Sequence, residues 1–299
     1  MLDTGACRFG VADAEEVEPE AEALYRRWTA AGHHGSMNYL EKYPDIRRDP
    51  RLLLEGARSI ICSAFSYFDP SVAAGDTAIA RYALGDDYHE VVRERLEKAA
   101  ARIRDIYGGS TRVCVDTAPL RERYWAARCG VGVIGLNNHL IVPGAGSYVF
   151  LGEIITTVRF RPTQPLAGGT CHRCGRCVEA CPAGALTPDG ACDASRCLSY
   201  LTIEHRGPLP DGTRLHGHLY GCDVCAGVCP YNAAPKPATI PEFVPRPEVT
   251  AITADRVLTM TQPEFSATFR RSAIKRAKLA GLRRNAEALE AEKRAGYPK

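Results

Sequence analysis

Nine of the thirteen cysteines lie between Cys171 and Cys229, and their spacing constrains the fold more than any other feature of the sequence. A CxxCxxCxxxCP run from Cys171 to Pro182 has the spacing of bacterial ferredoxins. Part of this run recurs as CxxCxxxCP from Cys222 to Pro230, which indicates a duplicated metal-binding unit. Clustered thiols in a chain of 299 residues favour metal ligands over disulfides, because a chain of this length can bury a core without cross-links.

The ferredoxin pattern assigns seven of these cysteines to two [4Fe–4S] clusters. The first three cysteines of such a run bind one cluster, and the cysteine before proline binds the other. The predicted ligands are therefore, for cluster I, Cys171, Cys174, Cys177 and Cys229, and for cluster II, Cys181, Cys222 and Cys225. The second unit lacks its leading cysteine, because that position is His218 or Leu219. Cys192 and Cys197 are the candidates for the eighth ligand, and spacing alone does not choose between them.

A zinc ribbon with CxxC pairs is the alternative for these cysteines. One tetrahedral zinc needs only four ligands, which is fewer than the run and its partial repeat supply. Two neighbouring clusters instead indicate transfer of single electrons. Because 170 residues precede Cys171, we expect an upstream site that receives these electrons.

The residues before the cysteine segment have the pattern of a mixed α/β domain. Apolar periodicity predicts helices over 20–31 and 87–107, and short apolar runs predict strands over 59–67, 112–115 and 148–160.

Changes in composition divide the chain into three parts. Residues 162–169 predict a linker, residues 235–247 contain five prolines and predict an extended connection, and the tail from residue 261 is expected to be helical. The predicted fold class is α+β: a mixed α/β domain over 1–161, a ferredoxin-like domain over 162–235, and an extended and basic helical segment over 236–299.

Composition and termini exclude several classes of protein. Apolar residues make up 45% and charged residues 24%, which is typical of globular proteins. No apolar run approaches the roughly 18–20 residues of a membrane helix, and the first residues lack the pattern of a signal peptide. We therefore expect a cytoplasmic monomer without a membrane partner. The formal net charge is only +3, so binding of nucleic acid would need a local basic site.

The tail contains such a site. Seven of the fifteen residues from 270 to 284 are basic and none is acidic. On a continuous helix, Arg271, Lys275 and Lys278 would share one face, and three alanines would line the opposite face: Ala273, Ala277 and Ala280. Such a helix suits a phosphate backbone, and a solvated face without a partner is the alternative.

Seven stretches of the chain resemble the epoxyqueuosine reductase family, whose members are cobalamin-dependent enzymes. They are GSMNYL (35–40), RRDPR (47–51), RYALGDDYH (81–89), VDTAPL (115–120), GSYVFLGE (146–153), RCLSYLTIE (196–204) and RRNA (283–286). The resemblance implies reduction of epoxyqueuosine to queuosine at the wobble position of tRNA anticodons, the last step of queuosine biosynthesis. It implies Cys197 as the eighth cluster ligand. Longer family members continue into a helical-repeat region that assists tRNA binding, whereas this sequence stops at Lys299.

The resemblance also implies a set of site residues. Base-off cobalamin, cycling between cob(II)alamin and cob(I)alamin, would be bound by residues at matching positions: Arg47, Arg81, Asp116, Ser199, Cys222 and Asp223. Asp116 would donate the proton. The tRNA, carrying epoxyqueuosine in its anticodon loop, would contact His89, Arg121 and Arg123 as well as the basic tail. Electrons would come from an unidentified low-potential donor.

Each of these residues has a simpler interpretation. A desolvated Asp116 between an apolar strand and Pro119 would stay protonated, but the same residue also suits a helix N-cap. His89 would be a surface helix residue, since the cobalamin signature DxHxxG lacks its glycine here, and Arg121 and Arg123 would be solvated. For the whole chain, the alternatives are a reductive dehalogenase-like protein and a ferredoxin-type electron carrier.

Overall fold

The computed structural model describes residues 1–73, 75, 77–166 and 171–297. The strands are β1 (Arg8–Asp13), β2 (Ser59–Ser66), β3 (Thr111–Cys114), β4 (Val133–Ile134), β5 (Leu140–Ile141) and β6 (Val149–Thr156). The α-helices are α1 (Pro19–Ala30), α2 (Pro44–Arg48), α3 (Tyr88–Tyr107), α4 (Glu122–Arg128), α5 (Arg176–Glu179), α6 (Leu198–Ile203), α7 (Val224–Gly227), α8 (Pro247–Thr250), α9 (Ala254–Thr259), α10 (Gln262–Thr268) and α11 (Lys278–Arg294). Short 3-10 helices cover Leu2–Thr4, Asn38–Leu40, Pro50–Leu53, Arg81–Ala83, Ala194–Arg196, Pro230–Asn232, Pro241–Phe243 and Ala273–Ala277. This confirms the predicted α+β class.

An antiparallel sheet of four strands in the order β1-β2-β6-β3 organises the N-terminal half, and β4 and β5 form a separate hairpin.

The predicted helices 20–31 and 87–107 are confirmed as α1 and α3. The three predicted strands are confirmed as β2, β3 and β6, although β6 ends at Thr156. β1 was not predicted, because Gly10 and Asp13 obscure the apolar pattern of its six residues. Of the predicted linker, residues 167–169 lie outside the described residues.

Both faces of the sheet are covered, which explains why all eight residues of β2 are buried. On one face α3 packs Val92 and Leu96 against Ile154 of β6. On the other face α4 packs Trp125 and Cys129 against the sheet. The sheet is therefore a rigid base for the loops at its edges, including the turn that follows β3.

The C-terminal helices form a core of their own rather than an isolated tail. Phe265, Phe269 and Leu282 are buried together with Leu84 and Tyr220 from earlier parts of the chain. The predicted connection over 235–247 also contributes to packing, since its 3-10 helix buries Phe243 against α3 and the sheet.

The single basic helix predicted for the tail is wrong. Ser272 caps a separate 3-10 helix, and Lys278 has a φ of 59° at the start of α11, so no continuous helix joins Arg271 to Lys278. Lys275 lies in the 3-10 helix between them. The three basic side chains are exposed, as predicted.

The alanines show the same break. Ala273 and Ala277 are buried, whereas Ala280 is exposed, so the three do not share one face. Among the helices of the described residues, none is long and apolar enough to cross a membrane.

Two glycines should respond in opposite ways to substitution by alanine. A Cβ on Gly10 would lie 1.8 Å from the carbonyl oxygen of Cys129, where β1 touches the end of α4. We expect Gly10→Ala to lower the free energy of unfolding by about 2 kcal/mol or more, because backbone has to move. Gly281→Ala, inside α11 with its nearest neighbour at 3.7 Å, should raise it by about 0.5–1 kcal/mol. Urea unfolding midpoints measure both, and an unchanged midpoint for Gly10→Ala would contradict this packing.

Candidate functional site

Four cysteines from the two repeated segments line one cavity. Its walls include Cys171, Cys174, Cys177 and Cys229. Gly175, with a φ of 80°, turns the chain into α5 between the second and third of these cysteines. The structure thus brings together the set predicted for cluster I, and four thiols around one cavity are a donor set that fits an iron–sulfur cluster.

A second group of thiols lies deeper. Burial raises the pKa of Cys225, and three neighbouring thiols raise it further: Cys222, Cys197 and Cys181. Burial also raises the pKa of Cys222 to about 12, with Cys197 and Cys181 again among its neighbours. Cys192 borders Cys197, and burial raises its pKa to about 11. Because Cys197 is a neighbour of both Cys222 and Cys225, the arrangement favours Cys197 in the set predicted for cluster II.

Two histidines border the second group. His139 Nε2 lies 3.8 Å from the sulfur of Cys225, and His218 Nε2 lies 3.8 Å from the sulfur of Cys222. Within the described ranges, no three or more His, Cys, Asp or Glu side chains are grouped so that they could hold a single metal ion.

Asp116 stands directly after β3 in an unusual backbone conformation, with a φ of 52°. Its backbone N–H donates to a carboxylate oxygen of Glu122, the first residue of α4. Its Oδ2 lies 2.9 Å from Nε2 of His89, and Nδ1 of the same imidazole lies 2.6 Å from Oδ1 of Asp87. A left-handed backbone is costly for a residue other than glycine, so these contacts hold Asp116 in a defined place.

The structure corrects the capping interpretation of Asp116. The residue is not a helix N-cap, because α4 begins only at Glu122 and Arg121 occupies the capping position. The desolvation expected for Asp116 is also wrong, since its side chain is 52% exposed. His89 is not a free surface residue either: it is half-buried between two carboxylates.

The charge of His89 follows from these neighbours. Burial alone would lower its pKa, but hydrogen bonds to Asp116 and Asp87 outweigh burial and raise the pKa to about 9. The imidazole is therefore an imidazolium at neutral pH, with a proton on the nitrogen that faces Asp116.

A second group of charged residues influences the same region electrostatically. Both carboxylate oxygens of Glu204 accept hydrogen bonds of 2.8 Å from Arg276, whose guanidinium also lies 5.6 Å from the ring centre of Tyr39. Burial raises the pKa of Tyr39 to about 12, and the charges of Glu204 and Asp116 add to the rise. Residues from the N-terminal half and the C-terminal tail therefore meet where Arg276 contacts Tyr39.

The residues predicted to bind cobalamin fall into two places. The backbone N–H of Arg81 donates to Asp223, next to Cys222, at 2.7 Å. The guanidinium of Arg81 lies over the Phe68 ring at 5.3 Å. Elsewhere, buried Arg47 donates to two backbone carbonyls.

Ser199 lies in α6, and its neighbour Tyr200 contacts Ser36 through the phenol oxygen at 2.8 Å. The structure thus joins Arg81, Cys222 and Asp223, while Arg47 lies against the carbonyl of Tyr39 near Asp116. Their role in cofactor binding stays a prediction.

The basic residues predicted to contact tRNA differ in whether their side chains already have partners within the chain. Arg121 pairs with Glu22 and stacks 4.2 Å over the ring of Tyr25, and Arg123 donates to the carbonyl of Asn138. Three further basic residues lie in the tail. Arg271 reaches Asp86 and Glu90, whereas Lys275 and Lys278 have no ion-pair partner in the part of the chain that the structure describes. The two lysines are thus the cations most available to a phosphate.

Comparison with known proteins gives a consistent result. A family model described as "Epoxyqueuosine reductase QueG, DUF1730" matches residues 47–117, and one described as "4Fe-4S double cluster binding domain" matches residues 170–232. Epoxyqueuosine reductase of Gloeobacter violaceus is 39% identical over 94% of this chain and 91% of its own length, and that of Cyclobacterium marinum is 36% identical over 92% and 90%. The chain belongs to the epoxyqueuosine reductase family.

Solved epoxyqueuosine reductase structures have the same fold. A crystal structure with an epoxyqueuosine-modified tRNA-Tyr stem loop matches with a TM-score of 0.89 at 30% identity, over 99% of this chain and 80% of that one. The Bacillus subtilis structure, with its catalytic loop swung out of the active site, matches with a TM-score of 0.88, again over 99% of this chain and 80% of that one. The double-cluster match spans all eight predicted cluster ligands.

Sequence reasoning missed four residues around Asp116. They are Tyr39, Glu122, Glu153 and Arg276. Glu153 had a visible signal, since an acidic residue interrupts the apolar run of β6. Arg276 lay in the basic run but off the predicted helix face. Tyr39 and Glu122 gave no local signal, because the contact of Tyr39 with Arg276 and that of Glu122 with Asp116 depend on the fold.

The eighth ligand can be tested by two matched substitutions. We expect Cys197→Ser to lower the iron content of anaerobically reconstituted protein from about eight to about four per chain, because cluster II loses a thiolate. Cys192→Ser, the control in the same segment, should keep about eight irons. Iron analysis with sulfide determination measures both, and iron loss in Cys192→Ser alone would contradict the assignment.

The contacts of His89 should make stability depend on pH. Its pKa of about 9 in the folded protein exceeds the ordinary 6.5, so folding is favoured by proton binding. The stabilisation is complete below pH 6.5 and is lost as pH rises through 9. We expect His89→Gln to lower the melting temperature at pH 7 and to flatten its decline between pH 7 and 10. His33→Gln is the control, and an unchanged profile in His89→Gln would refute the ion pairs.

Proposed function

We propose that this chain reduces epoxyqueuosine to queuosine at the wobble position of tRNA anticodons. One observation carries the proposal: a double-cluster segment and the Asp116–His89 site occur together in a chain of the epoxyqueuosine reductase family. A matching crystal structure that contains an epoxyqueuosine-modified tRNA stem loop supports the same substrate.

The two clusters would supply the electrons. Reduction of an epoxide to an alkene takes two electrons and two protons and releases water, and each cluster passes one electron at a time. Cys174 is the one exposed thiol among the thirteen cysteines, whereas burial raises the pKa values of Cys222 and Cys225. Electrons from the low-potential donor would therefore arrive at cluster I and leave from cluster II.

Cobalamin is the cofactor that we propose between cluster II and the substrate. When bound, it supplies a strongly nucleophilic reduced cobalt centre. Three of the side chains fit its amide-bearing ring: the guanidinium group of Arg81 and the hydroxyl of Ser199 can donate hydrogen bonds, and Asp223 can accept them. Arg47 is buried and already donates to two backbone carbonyls. Cys222 would link this site to cluster II.

Asp116 would protonate the epoxide oxygen as its bond to carbon breaks. The imidazolium of His89 orients the carboxyl group through the 2.9 Å contact with Oδ2. Because Asp116 is half exposed in the free protein, the bound nucleoside would cover it and exclude water from the reacting atoms.

The tail would contact the tRNA backbone. Lys275 and Lys278 are exposed cations without a partner among the described residues, and Arg276 connects their segment to Tyr39 beside Asp116. Phosphate contacts here would position the anticodon loop, whose modified base would leave its stack to reach Asp116.

Asp116→Asn tests the proposal. The amide keeps the size of the side chain but cannot donate an acidic proton, so we expect turnover to fall by about 100-fold or more. The assay uses anaerobically reconstituted protein with cobalamin and an epoxyqueuosine-containing anticodon stem-loop.

Asp211→Asn, in an exposed turn, is the matched control and should turn over normally. Iron content should be unchanged in both variants, and cobalamin binding should be unchanged in Asp211→Asn. Absence of turnover by the fully loaded native chain would overturn the proposed function, and normal turnover by Asp116→Asn would overturn the role of Asp116.

A further inference from the structure

The turn between β4 and β5 lies against predicted ligands of both clusters. The backbone N–H of Leu136 lies 3.4 Å from the sulfur of Cys171, which belongs to cluster I. Three residues later, Nε2 of His139 lies 3.8 Å from the sulfur of Cys225, which belongs to cluster II. The side chain of Asn137 donates to the backbone carbonyl of Cys225 at 3.1 Å. One short turn of the N-terminal half thus reaches both cluster sites.

Hydrogen bonds hold this turn in place. The backbone N–H of Gly135 donates to the carbonyl of His139 at 2.8 Å, and the N–H of His139 donates to Oδ1 of Asn137 at 3.2 Å. Asn138 has a φ of 61°, a left-handed conformation that asparagine tolerates better than most residues. Its side chain donates to the carbonyl of Gly190 at 3.2 Å. The backbone under His139 is therefore fixed, which keeps its imidazole against Cys225.

A second histidine stands where the repeated cysteine pattern is incomplete. The second unit lacks the leading cysteine of the first, and the place of that cysteine falls at His218 or Leu219. Leu219 is fully buried in the C-terminal core, and its N–H donates to the carbonyl of Ala78 at 2.8 Å. Nε2 of His218 instead lies 3.8 Å from the sulfur of Cys222. The chain therefore presents a second imidazole to a thiol of cluster II.

An imidazole in this position can donate a hydrogen bond to a cluster-bound thiolate. The thiolate has lone pairs but no proton, and Nε2 carries a proton both in the imidazolium and in one tautomer of the neutral ring. A cluster gains one negative charge when it is reduced, so such a bond stabilises the reduced form more than the oxidised form. Hydrogen bonds to the sulfurs are accordingly among the factors that set the reduction potential of a cluster.

The two clusters differ in their surroundings. Cluster I includes the exposed thiol of Cys174, whereas all four thiols predicted for cluster II are partly buried. Burial disfavours the added negative charge of a reduced cluster, so cluster II without compensation is the harder one to reduce. Backbone N–H groups lie near thiols of both clusters, as Leu136 does at Cys171 and Ala185 at Cys181, but both imidazoles face cluster II.

We propose that His139 and His218 donate hydrogen bonds to the thiolates of Cys225 and Cys222 and thereby raise the reduction potential of cluster II, so that it accepts electrons from cluster I. This inference rests on the proposed function, in which electrons arrive at cluster I and leave from cluster II. In each transfer, cluster I, reduced by the low-potential donor, loses one electron and cluster II gains it. No bond is made or broken and no proton moves. The two histidines act through the thiolates and are positioning residues.

A redox titration followed by electron paramagnetic resonance (EPR) tests this without substrate or cobalamin. Cys197→Ser, which should keep only cluster I, identifies the signal of cluster II in reconstituted protein. We expect His139→Leu and His218→Leu each to lower the ratio of reduced to oxidised cluster II at a fixed potential by about threefold. The double variant should lower it by about tenfold, which for a one-electron couple is about 59 mV. The potential of cluster I and the iron content of about eight per chain should not change.

Matched variants separate the hydrogen bond from packing. His139→Gln places an amide N–H near the position of Nε2 and should restore most of the native potential. His172→Leu removes an imidazole from the cysteine segment whose ring lies 5.4 Å from that of Tyr231, and it should leave the potential of cluster II unchanged. A native potential of cluster II in the double leucine variant with full iron content would overturn the proposal. An equal shift in His172→Leu would overturn it as well.

Pulsed EPR of protein labelled with ¹⁵N-histidine distinguishes a hydrogen bond from a metal–nitrogen bond. We expect a weak ¹⁵N coupling to reduced cluster II that disappears in the double leucine variant. A strong coupling, or a fall to about four irons in either single leucine variant, would make the histidine a ligand and overturn the proposal. None of these measurements involves turnover, so their failure would leave the proposed reduction of epoxyqueuosine untouched.

Discussion

Eight cysteine thiols gather at the two predicted cluster sites, and the arrangement of the rest of the chain depends on this gathering. In the ferredoxin pattern, Cys181 and Cys229 each cross from one repeated segment to the cluster of the other, so neither segment completes a cluster alone. The second segment is in turn fixed to the N-terminal half, because Asp223, adjacent to Cys222, accepts the backbone N–H of Arg81. Binding of the clusters and docking of the second segment to the N-terminal half therefore depend on neighbouring residues. The position of Asp116 relative to the clusters follows from this docking.

Asp116 separates two electrostatically opposite surroundings. On its solvent side, the imidazolium of His89 is hydrogen-bonded by two carboxylates, which keep its proton. On its core side, Glu122 and Glu153 are acids whose burial favours the neutral form. Asp116 therefore lies between a hydrogen-bonded imidazolium and carboxyl groups of the core whose pKa values are raised by burial.

The sequence predicted what depends on local spacing and missed what depends on the fold. Cysteine spacing and apolar runs predicted seven cluster ligands and the strands β2, β3 and β6, because those signals lie within a few residues of one another. The contact of Glu122 with Asp116 depends instead on where α4 begins, and the capping alternative placed that start five residues too early. The tail was misjudged because a helical wheel assumes an unbroken helix, whereas Lys278 adopts a positive φ.

The docked C-terminal helices have a consequence for how such a chain can change over time. Arg276, whose guanidinium lies over the ring of Tyr39, comes from the same segment whose neighbours Phe269 and Leu282 are buried against Leu84. In the proposed function, contact with the tRNA and the placement of Arg276 against Tyr39 would therefore depend on one stretch of backbone. A substitution that loosened the packing of Phe269 or Leu282 would then be expected to disturb both together.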